Sequence, residues 1–375
     1  MKVPQLDLVV QYKSIKNEID TAILDVLEKG HFIMGENVKK IEESIASFVG
    51  VKHAIGVASG TDALLISLMA IGIKPGDEVI TTPFTFFATA GSIARLYAKP
   101  IFVDIDPKTY NIDVSKLEEM LKKRYSPKMK AIIPVHLYGQ CADMDPIIEL
   151  AKKYNLKVIE DAAQSLGATY KDKQSGSMGD FGAFSFFPTK NLGAYGDGGM
   201  IVTNNDELAE RARILRVHGA KPKYYHLVVG LNSRLDEIQA AVLNVKFKYL
   251  PKWIEQKRKV AEIYNKLFAK DLSGKVITPY EAPYNYHTYH QYTIRVGADK
   301  RDNLRAYLKE QGIGTSVYYP LPLHLQKCFD YLGYKEGDFP ESEKASKEVL
   351  SLPMYPEISN EKVKFVYAVI YKFYN

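Results

Sequence analysis

The alternation of apolar strand-like segments with helix-like segments constrains the fold more than any other feature of this sequence. Short apolar runs with strand character recur at 53–57, 77–82, 100–104, 131–135 and 156–160. Segments with helical periodicity separate them, at 63–71, 87–97, 115–123 and 143–155. Repeats of this kind predict a mostly parallel sheet that is covered by helices on both faces. We therefore predict an α/β fold.

A division of the chain into two parts is predicted from its length of 375 residues. Pro251 follows a helical segment that opens near Asn232, and a different succession comes after it: a helix at 252–269, a strand at 291–296 and a helix at 301–311. We predict a large domain over residues 1–250, which includes helices at 11–30 and 36–49. A smaller C-terminal α+β domain is predicted over residues 251–375.

Composition excludes several classes of protein. The net charge is +6, and the basic residues are scattered among acidic ones, so we expect no nucleic-acid binding. No apolar run approaches the roughly 20 residues that span a bilayer. The two cysteines, Cys141 and Cys328, lie far apart without metal-type spacing. We expect a cytoplasmic protein without a membrane segment or a bound metal.

A lysine between an aromatic run and a glycine cluster is the first candidate for chemistry. Lys190 follows a strand-like run that Pro188 ends, and four glycines come within the next nine residues. An amine on a turn beside an apolar wall loses solvation, which favours its neutral and nucleophilic form. Most lysines are solvated surface groups, so Lys190 alone does not define a site.

Two other stretches add candidate groups to the lysine. A strand predicted at 156–160 is followed by Asp161, and a turn of small residues with Gly60 and Thr61 opens a helix. Helix starts bind phosphate through free N–H groups, although an ordinary capped helix explains the second stretch equally well. The alternative role of Asp161 is to cap the segment that follows it. An amine, an acid and a phosphate cradle are the three parts that a pyridoxal phosphate site requires.

Six segments spread along the chain carry a family resemblance. They are SGTDAL at 59–64, PFTFFATA at 83–90, PVHLYGQCADMD at 134–145, IEDAAQSLGA at 159–168, FSFFPTKNLGAYGDGG at 184–199 and LNSRLDEIQAA at 231–241. With these segments the chain resembles the pyridoxal-phosphate-dependent nucleotide-sugar aminotransferases of the DegT/DnrJ/EryC1/StrS family. The resemblance implies fold type I, with Lys190 as the residue that forms the Schiff base.

The resemblance also implies roles for residues around the cofactor. Asp161 would face the ring nitrogen, Phe86 would stack on the ring, and Gln164 would lie beside the ring hydroxyl. Ser185 would bind the phosphate, and Asn232 would reach the phosphate in the site of a partner subunit. Without the resemblance, Phe86 is explained as a core residue and Ser185 as a cross-strand hydrogen bonder.

Four residues are candidates for substrate binding. Arg234 suits a diphosphate, because its planar fork matches phosphate oxygens, although an ion pair with Asp236 or Glu237 is the alternative. The family often has His-Tyr-Pro where this chain has Tyr318, Tyr319 and Pro320, so a tyrosine hydroxyl stands where the histidine is expected. His324 is a further candidate, and a structural role explains it equally well.

The implied reaction is transfer of an amino group from glutamate to a nucleotide-diphospho-keto-sugar by a homodimer with shared sites. The segments LYGQCADMD and PLPLHLQ favour a 3-keto-sugar over a 4-keto-sugar. Some relatives dehydrate a deoxysugar instead, with histidine in place of the lysine, and Lys190 argues against that reaction. A non-catalytic sensor would be expected to lose Lys190 or Asp161. A Rossmann dehydrogenase is disfavoured because the glycines do not follow the G-x-G-x-x-G order.

Overall fold

The structure is a computed structural model that describes all 375 residues. The helices are α1 (Leu8–Ser14), α2 (Lys16–Lys29), α3 (Glu36–Val49), α4 (Gly60–Ala70), α5 (Ala88–Arg95), α6 (Val114–Arg124), α7 (Met144–Lys153), α8 (Asp206–Leu215), α9 (Glu237–Phe247), α10 (Leu250–Asp271), α11 (Ala298–Glu310), α12 (Pro340–Glu348) and α13 (Asn360–Tyr374). No helix is long and apolar enough to cross a membrane.

The strands form one large and two small sheets. They are β1 (His53–Val57), β2 (Glu78–Thr81), β3 (Lys99–Phe102), β4 (Met129–Ile132), β5 (Lys157–Asp161), β6 (Thr169–Tyr170), β7 (Lys173–Gln174), β8 (Phe181–Ser185), β9 (Gly199–Thr203), β10 (Val276–Ile277), β11 (Asn285–Tyr286), β12 (Tyr292–Val296) and β13 (Val349–Leu352). The large sheet has the order β1-β9-β8-β5-β4-β2-β3.

The large sheet confirms the predicted α/β fold with a mostly parallel sheet. The strands β3, β2, β4, β5 and β8 pair in parallel, and β9 is antiparallel to both of its neighbours. Apolar side chains of β9 alternate between the two faces: Ile201 packs with α4 and α8, whereas Met200 and Val202 pack with α3 and α9. Helices therefore bury both faces of the sheet, which is the layered α/β arrangement expected of a largely parallel sheet.

A second apolar core lies in the C-terminal part of the chain. The antiparallel sheet β10-β12-β13 packs against α10, α11 and α13. Val3 joins this core and pairs with Ile313 in an isolated bridge, so the first residues of the chain contact its C-terminal part. The division into domains at residues 1–250 and 251–375 stays a prediction; α10 begins at Leu250, with Pro251 in its first turn.

Two helix boundaries differ from the sequence-based predictions. The helix predicted over 11–30 is two helices, α1 and α2, because the chain leaves helical geometry at Ile15. The Ser14 hydroxyl donates to the Gln11 carbonyl at 2.7 Å, a local bond that competes with the helix ladder. The helix predicted from Asn232 to Leu250 begins later, at Glu237, and ends at Phe247.

Candidate active site

The carboxyl ends of the parallel strands bring the predicted residues to one edge of the large sheet. Strand β5 ends at Asp161, β8 ends at Ser185 five residues before Lys190, and β1 leads into the first turn of α4. Ligands of open α/β sheets bind at this edge. A cavity of about 480 Å³ opens there, and Lys190, Asp161 and Gly60 all line it.

The phosphate end of the cavity is built by a close approach between α4 and β8. Ser59 caps α4 by accepting a hydrogen bond from the Asp62 N–H at 3.1 Å. A Cβ on Gly60 would lie 2.6 Å from the Ser185 Cβ, so only glycine allows the Ser185 side chain this close to the helix start. The first N–H groups of α4, which include that of Thr61, have no partners within the helix and are suited to bind an anion.

The acid at the end of β5 is buried and held by a hydroxyl. Asp161 is 6% exposed, and its Oδ2 accepts a hydrogen bond from the Thr89 Oγ1 at 2.7 Å. The Thr85 hydroxyl lies 3.0 Å from that of Thr89 and extends the chain of polar groups. Burial raises the pKa of Asp161, while the hydrogen bonds from Thr89 and the Ala163 N–H and the charge of Lys190 oppose that rise. A cation placed against Asp161 would favour its ionised form.

Lys190 lies on the turn between β8 and β9 and projects its amine into the cavity. Its backbone N–H donates to the Phe187 carbonyl at 2.9 Å, and a Cβ on Gly193 would lie 2.3 Å from the Pro188 oxygen, so the turn is tightly closed. The Lys190 amine makes no hydrogen bond or ion pair with another residue of the chain. Burial lowers the pKa of Lys190 to about 8, although the charge of Asp161 acts in the opposite sense.

Aromatic and amide side chains form the wall between these groups. Gln164 donates from its Nε2 to the Tyr319 hydroxyl at 3.0 Å, and its Oε1 accepts from the Tyr138 N–H at 2.7 Å. The rings of Phe86 and Tyr319 lie 6.1 Å apart, and Phe86 is half-exposed to the cavity. Tyr318 also lines the cavity. The structure thus brings nine of the predicted residues together: Gly60, Thr61, Phe86, Asp161, Gln164, Ser185, Lys190, Tyr318 and Tyr319.

Three predicted residues do not line this cavity. His324 is 2% exposed, its Nε2 lies 3.0 Å from the Glu343 Oε1, and its ring packs edge-on against Phe339. Its Nδ1 is buried without a partner in the chain, and the substrate role of His324 stays a prediction. Asn232 is exposed and Arg234 is half-buried, and neither lines the cavity.

The ion pair considered for Arg234 is absent. Glu237 accepts hydrogen bonds from the N–H groups of Gly35 and Asn37 at 2.9 and 2.6 Å, and so caps α3 instead of pairing with Arg234. The Ser233 hydroxyl accepts from the Ala58 N–H at 3.1 Å, which holds this segment beside the end of β1. The Arg234 guanidinium remains without an acidic partner in the chain.

Sequence reasoning missed three residues that line the cavity, Thr85, His290 and Gln291, and also Thr89, which donates to Asp161. Thr85 and Thr89 are four residues apart around the start of α5, a spacing that places two side chains on one helix face. His290 and Gln291 precede β12 and also line the cavity. Nothing in the sequence near these four residues indicates that α5 and β12 meet the edge of the large sheet.

The residues present fit pyridoxal phosphate. The free N–H groups at the start of α4, beside Ser185, suit a phosphate, Asp161 suits a protonated ring nitrogen, and Lys190 offers an amine without an internal partner. These three features belong to one cavity, and its size is in the ordinary range for a small-molecule site.

Comparison with known proteins agrees with this geometry. The model of the DegT/DnrJ/EryC1/StrS aminotransferase family, whose cofactor is pyridoxal phosphate, matches residues 13–371. The chain is 58% identical over 374 residues to a pleiotropic regulatory protein of Geobacillus stearothermophilus, covering 100% of this chain and 99% of that protein. It is 46% identical over 368 residues to the UDP-2-acetamido-2-deoxy-3-oxo-D-glucuronate aminotransferase of Pseudomonas aeruginosa, covering 97% and 98%.

A solved structure agrees over the same extent. DesV of S. venezuelae, in complex with a ketimine intermediate, superposes with a TM-score of 0.94 at 38% identity, covering 99% of this chain and 98% of that one. Fold, site and sequence similarity therefore lead to one assignment: the chain belongs to the DegT/DnrJ/EryC1/StrS aminotransferase family and is a pyridoxal-phosphate-dependent transaminase.

Proposed function

We propose that the protein transfers an amino group from glutamate to a nucleotide-linked 3-keto-sugar, and that Lys190 is its catalytic lysine. The observation that carries the proposal is the placement of an unpaired Lys190 amine and a buried Asp161 in one cavity. The P. aeruginosa relative is named for a 3-oxo sugar, which supports a 3-keto substrate. A 4-keto-sugar is the second choice.

Lys190, Asp161 and Thr89 have separate roles in this reaction. When bound, pyridoxal phosphate supplies an aldehyde carbon and a ring that withdraws electrons from the donor's α carbon. Lys190 would hold the cofactor through its Nζ, and the same amine, when free, would move the proton away from the donor's α carbon and act in the opposite sense in the second half-reaction. Asp161 binds the ring nitrogen, and Thr89 fixes the orientation of that carboxylate through its 2.7 Å hydrogen bond.

Gly60, Thr61 and Ser185 would bind the phosphate, and Phe86 would pack on the ring. Gln164 and Tyr319, already joined by a hydrogen bond, would flank the ring hydroxyl. Tyr318 and Tyr319 present hydroxyls or ring faces to the substrate side of the cavity. These roles follow from position in the cavity and from the family resemblance.

We also propose that the active unit is a homodimer. The segment from Tyr224 to Val229 exposes large apolar side chains, with Val229 90% exposed and Tyr224 78% exposed. Apolar patches of this kind are typical of interfaces. Asn232 and Arg234 lie outside the chain's own cavity, which is consistent with their serving the phosphate and the substrate diphosphate in a second copy.

Mixing tests the shared site. The Lys190→Ala and Asn232→Ala variants should each be inactive, and a mixture should recover activity because some heterodimers contain one intact site. No recovery in a mixture that light scattering shows to be dimeric would contradict a shared site. We place the reaction in the cytoplasm, since both cysteines are free thiols, as is usual in a reducing compartment.

A visible absorption spectrum tests the transaminase directly. The cofactor-loaded protein should show a yellow band that bleaches when glutamate is added and returns with the keto-sugar substrate. Sugars that carry the carbonyl at C3 or at C4 then decide the position of amination. A band that does not change when glutamate is added would contradict the assignment of glutamate as the amino donor.

A regulator is the second candidate, because a relative at 58% identity is named a pleiotropic regulatory protein. A purely regulatory protein has no need for an unpaired, buried amine opposite a buried acid. Absence of the band after addition of pyridoxal phosphate would favour the regulator.

A further inference from the structure

Two consecutive residues that line the cavity have buried polar atoms without any partner. Both ring nitrogens of His290 and the Oε1 of Gln291 are buried and make no hydrogen bond in the chain. His290 is only 6% exposed. A buried polar group without a partner costs stability, so its presence in a ligand cavity points to a partner that arrives with the ligand.

The backbone holds these residues in place. The Lys257 amine donates to the His290 carbonyl at 3.3 Å, and the Gln291 N–H donates to the Tyr138 carbonyl at 3.4 Å. Strand β12, in the second core, begins at the next residue. The two side chains therefore project from a fixed strand start and not from a mobile loop.

The chemistry of the pair is that of neutral hydrogen bonding. Burial lowers the pKa of His290 well below its usual value, and the charges of Lys190 and Lys257 add to that effect. A neutral imidazole has one donor and one acceptor nitrogen, and the Gln291 Oε1 is an acceptor. A hydroxyl or an amide N–H can donate to the Gln291 Oε1, whereas a carboxylate has no hydrogen to donate to it.

The charges in the cavity lead to the same conclusion. Lys190 is the only lysine or arginine among the residues that line it, and Asp161 and Asp197 are both acidic. A carboxylate of the amino donor would thus find no lysine or arginine on the cavity wall other than the catalytic amine, because Lys257 beside His290 does not line the cavity. An uncharged group therefore fits best in the part of the cavity beside His290 and Gln291.

We propose that His290 and Gln291 form a subsite that binds a hydroxyl or an acylamino group of the sugar ring. The proposal rests on the proposed function and deepens it, since it assigns the part of the substrate that carries no charge. It predicts that the pair discriminates between a nucleotide and a nucleotide sugar and takes no part in the reaction with glutamate.

Calorimetric titration of the cofactor-loaded protein with UDP and with UDP-N-acetylglucosamine tests the subsite. The wild type should bind the sugar nucleotide more tightly than UDP. His290→Leu and Gln291→Met should each reduce that preference by about 5–10-fold, the size of one or two neutral hydrogen bonds, with unchanged affinity for UDP. The rate at which glutamate bleaches the cofactor band should stay within about twofold, as expected for groups outside that half-reaction.

Stability separates a binding role from a structural one. Because the removed atoms have no partners in the chain, His290→Leu should unfold at the same or a higher temperature than the wild type. His290→Asn, a smaller polar replacement, should also lose the preference for the sugar nucleotide. His53→Leu is the matched control, since His53 begins β1 and pairs with Asp206 at the surface; it should keep the preference.

Each other outcome has a definite meaning. An unchanged preference for the sugar nucleotide in the His290 and Gln291 variants would overturn the subsite and leave the proposed function intact. A fall in the glutamate reaction that matches the fall in sugar affinity would overturn it too, because the pair would then serve the catalytic lysine or the donor. Failure of the wild type to bind either compound would overturn the nucleotide-sugar assignment, and the subsite with it.

Discussion

Buried lysines lie on both sides of the glycine-rich turn after β8, but only on the cavity side is the lysine amine free to react. On the cavity side, the Lys190 amine has no acceptor within the chain. On the opposite side, Lys257 donates to the Asn191 Oδ1 at 2.8 Å and to the His290 carbonyl at 3.3 Å. Lys246 donates to the Gly193 carbonyl, and its amine lies 4.9 Å from the centre of the Tyr195 ring.

The pKa values do not separate these lysines. Burial lowers the pKa of Lys190 and Lys246 to about 8 and that of Lys257 to about 7. The three lysines differ instead in whether their amines have hydrogen-bond acceptors in the chain and in whether they line the cavity. Burial lowers the pKa of all three amines and so makes each of them a better base. Only the Lys190 amine lines the cavity without a hydrogen-bond acceptor in the chain, and so only this amine is available to a ligand. Lys246 and Lys257 brace the turn that holds Lys190.

Replacing Lys190 should have the largest effect. Lys190→Ala removes both the attachment point and the proton-transfer group, so turnover should fall by at least about 10³-fold, within the range that general acid–base groups contribute. Steady-state assay of amino transfer measures the loss, and circular dichroism should show an intact fold. A Lys190→Ala variant that transaminates at the parental rate would make one of the other buried lysines, or none, the catalytic group.

Replacing Asp161 should come next. Asp161→Ala removes the charged partner of the ring nitrogen, so cofactor affinity should fall roughly 10–100-fold, the value of a hydrogen bond to a charged group. Equilibrium dialysis of pyridoxal phosphate gives the affinity, and the rate of bleaching by glutamate should decline as well. Glu160 offers no useful control, because it is fully buried beside His136; Asp180→Ala, at the opposite end of β8, is the suitable one. Equal retention of cofactor in both variants would refute the role of Asp161.

Replacing Lys257 should change stability more than chemistry. Lys257→Met keeps the apolar length and removes two hydrogen bonds, so the free energy of unfolding should fall by about 1–3 kcal/mol. Urea denaturation measures that change. Bleaching by glutamate should remain within about threefold of the wild type, as expected of a group that does not touch the reacting atoms. A loss of activity as large as that of Lys190→Ala would show that Lys257 also serves the reaction, and would contradict the distinction between the two sides of the turn.

The pH dependence of cofactor uptake should show the smallest effect. Since burial lowers the pKa of Lys190 to about 8, its amine loses the proton at lower pH than a solvated lysine, and the neutral nucleophile increases as pH rises. Covalent uptake of pyridoxal phosphate by the apoprotein should therefore rise with pH, with its midpoint near pH 8 if lysine deprotonation alone limits the rate. Stopped-flow absorbance measures it. In Asp161→Ala the midpoint should move lower, because Asp161 favours the charged amine; a midpoint above that of the wild type would contradict the coupling.

Local sequence was sufficient for the parts of the site that lie on single turns. Lys190 lies between an aromatic strand and glycines, and Asp161 ends an apolar strand, so both were predictable from neighbouring residues. The α/β sheet followed from the alternation of segments and was confirmed. Gly60 was predictable only as a helix start; its contact with Ser185 requires the pairing of elements far apart in the chain.

Tertiary packing decided the rest. The role of Thr89 depends on α5 facing β5, and that of His290 on the second core meeting the edge of the large sheet. His324 lies outside the cavity, and its pairing with Glu343 on α12 cannot be read from the loop around it. The placement of Asn232 and Arg234 depends on a second copy of the chain and stays a prediction.

The most direct test of the distinction between the buried lysines is to identify the one that carries the cofactor. The loaded protein would be reduced with borohydride, digested and mapped by mass spectrometry. We predict one pyridoxyl-modified lysine, Lys190, with Lys246 and Lys257 unmodified. Modification of Lys246 or Lys257 at comparable yield, or no modified peptide from a protein that shows the yellow band, would contradict the assignment of Lys190.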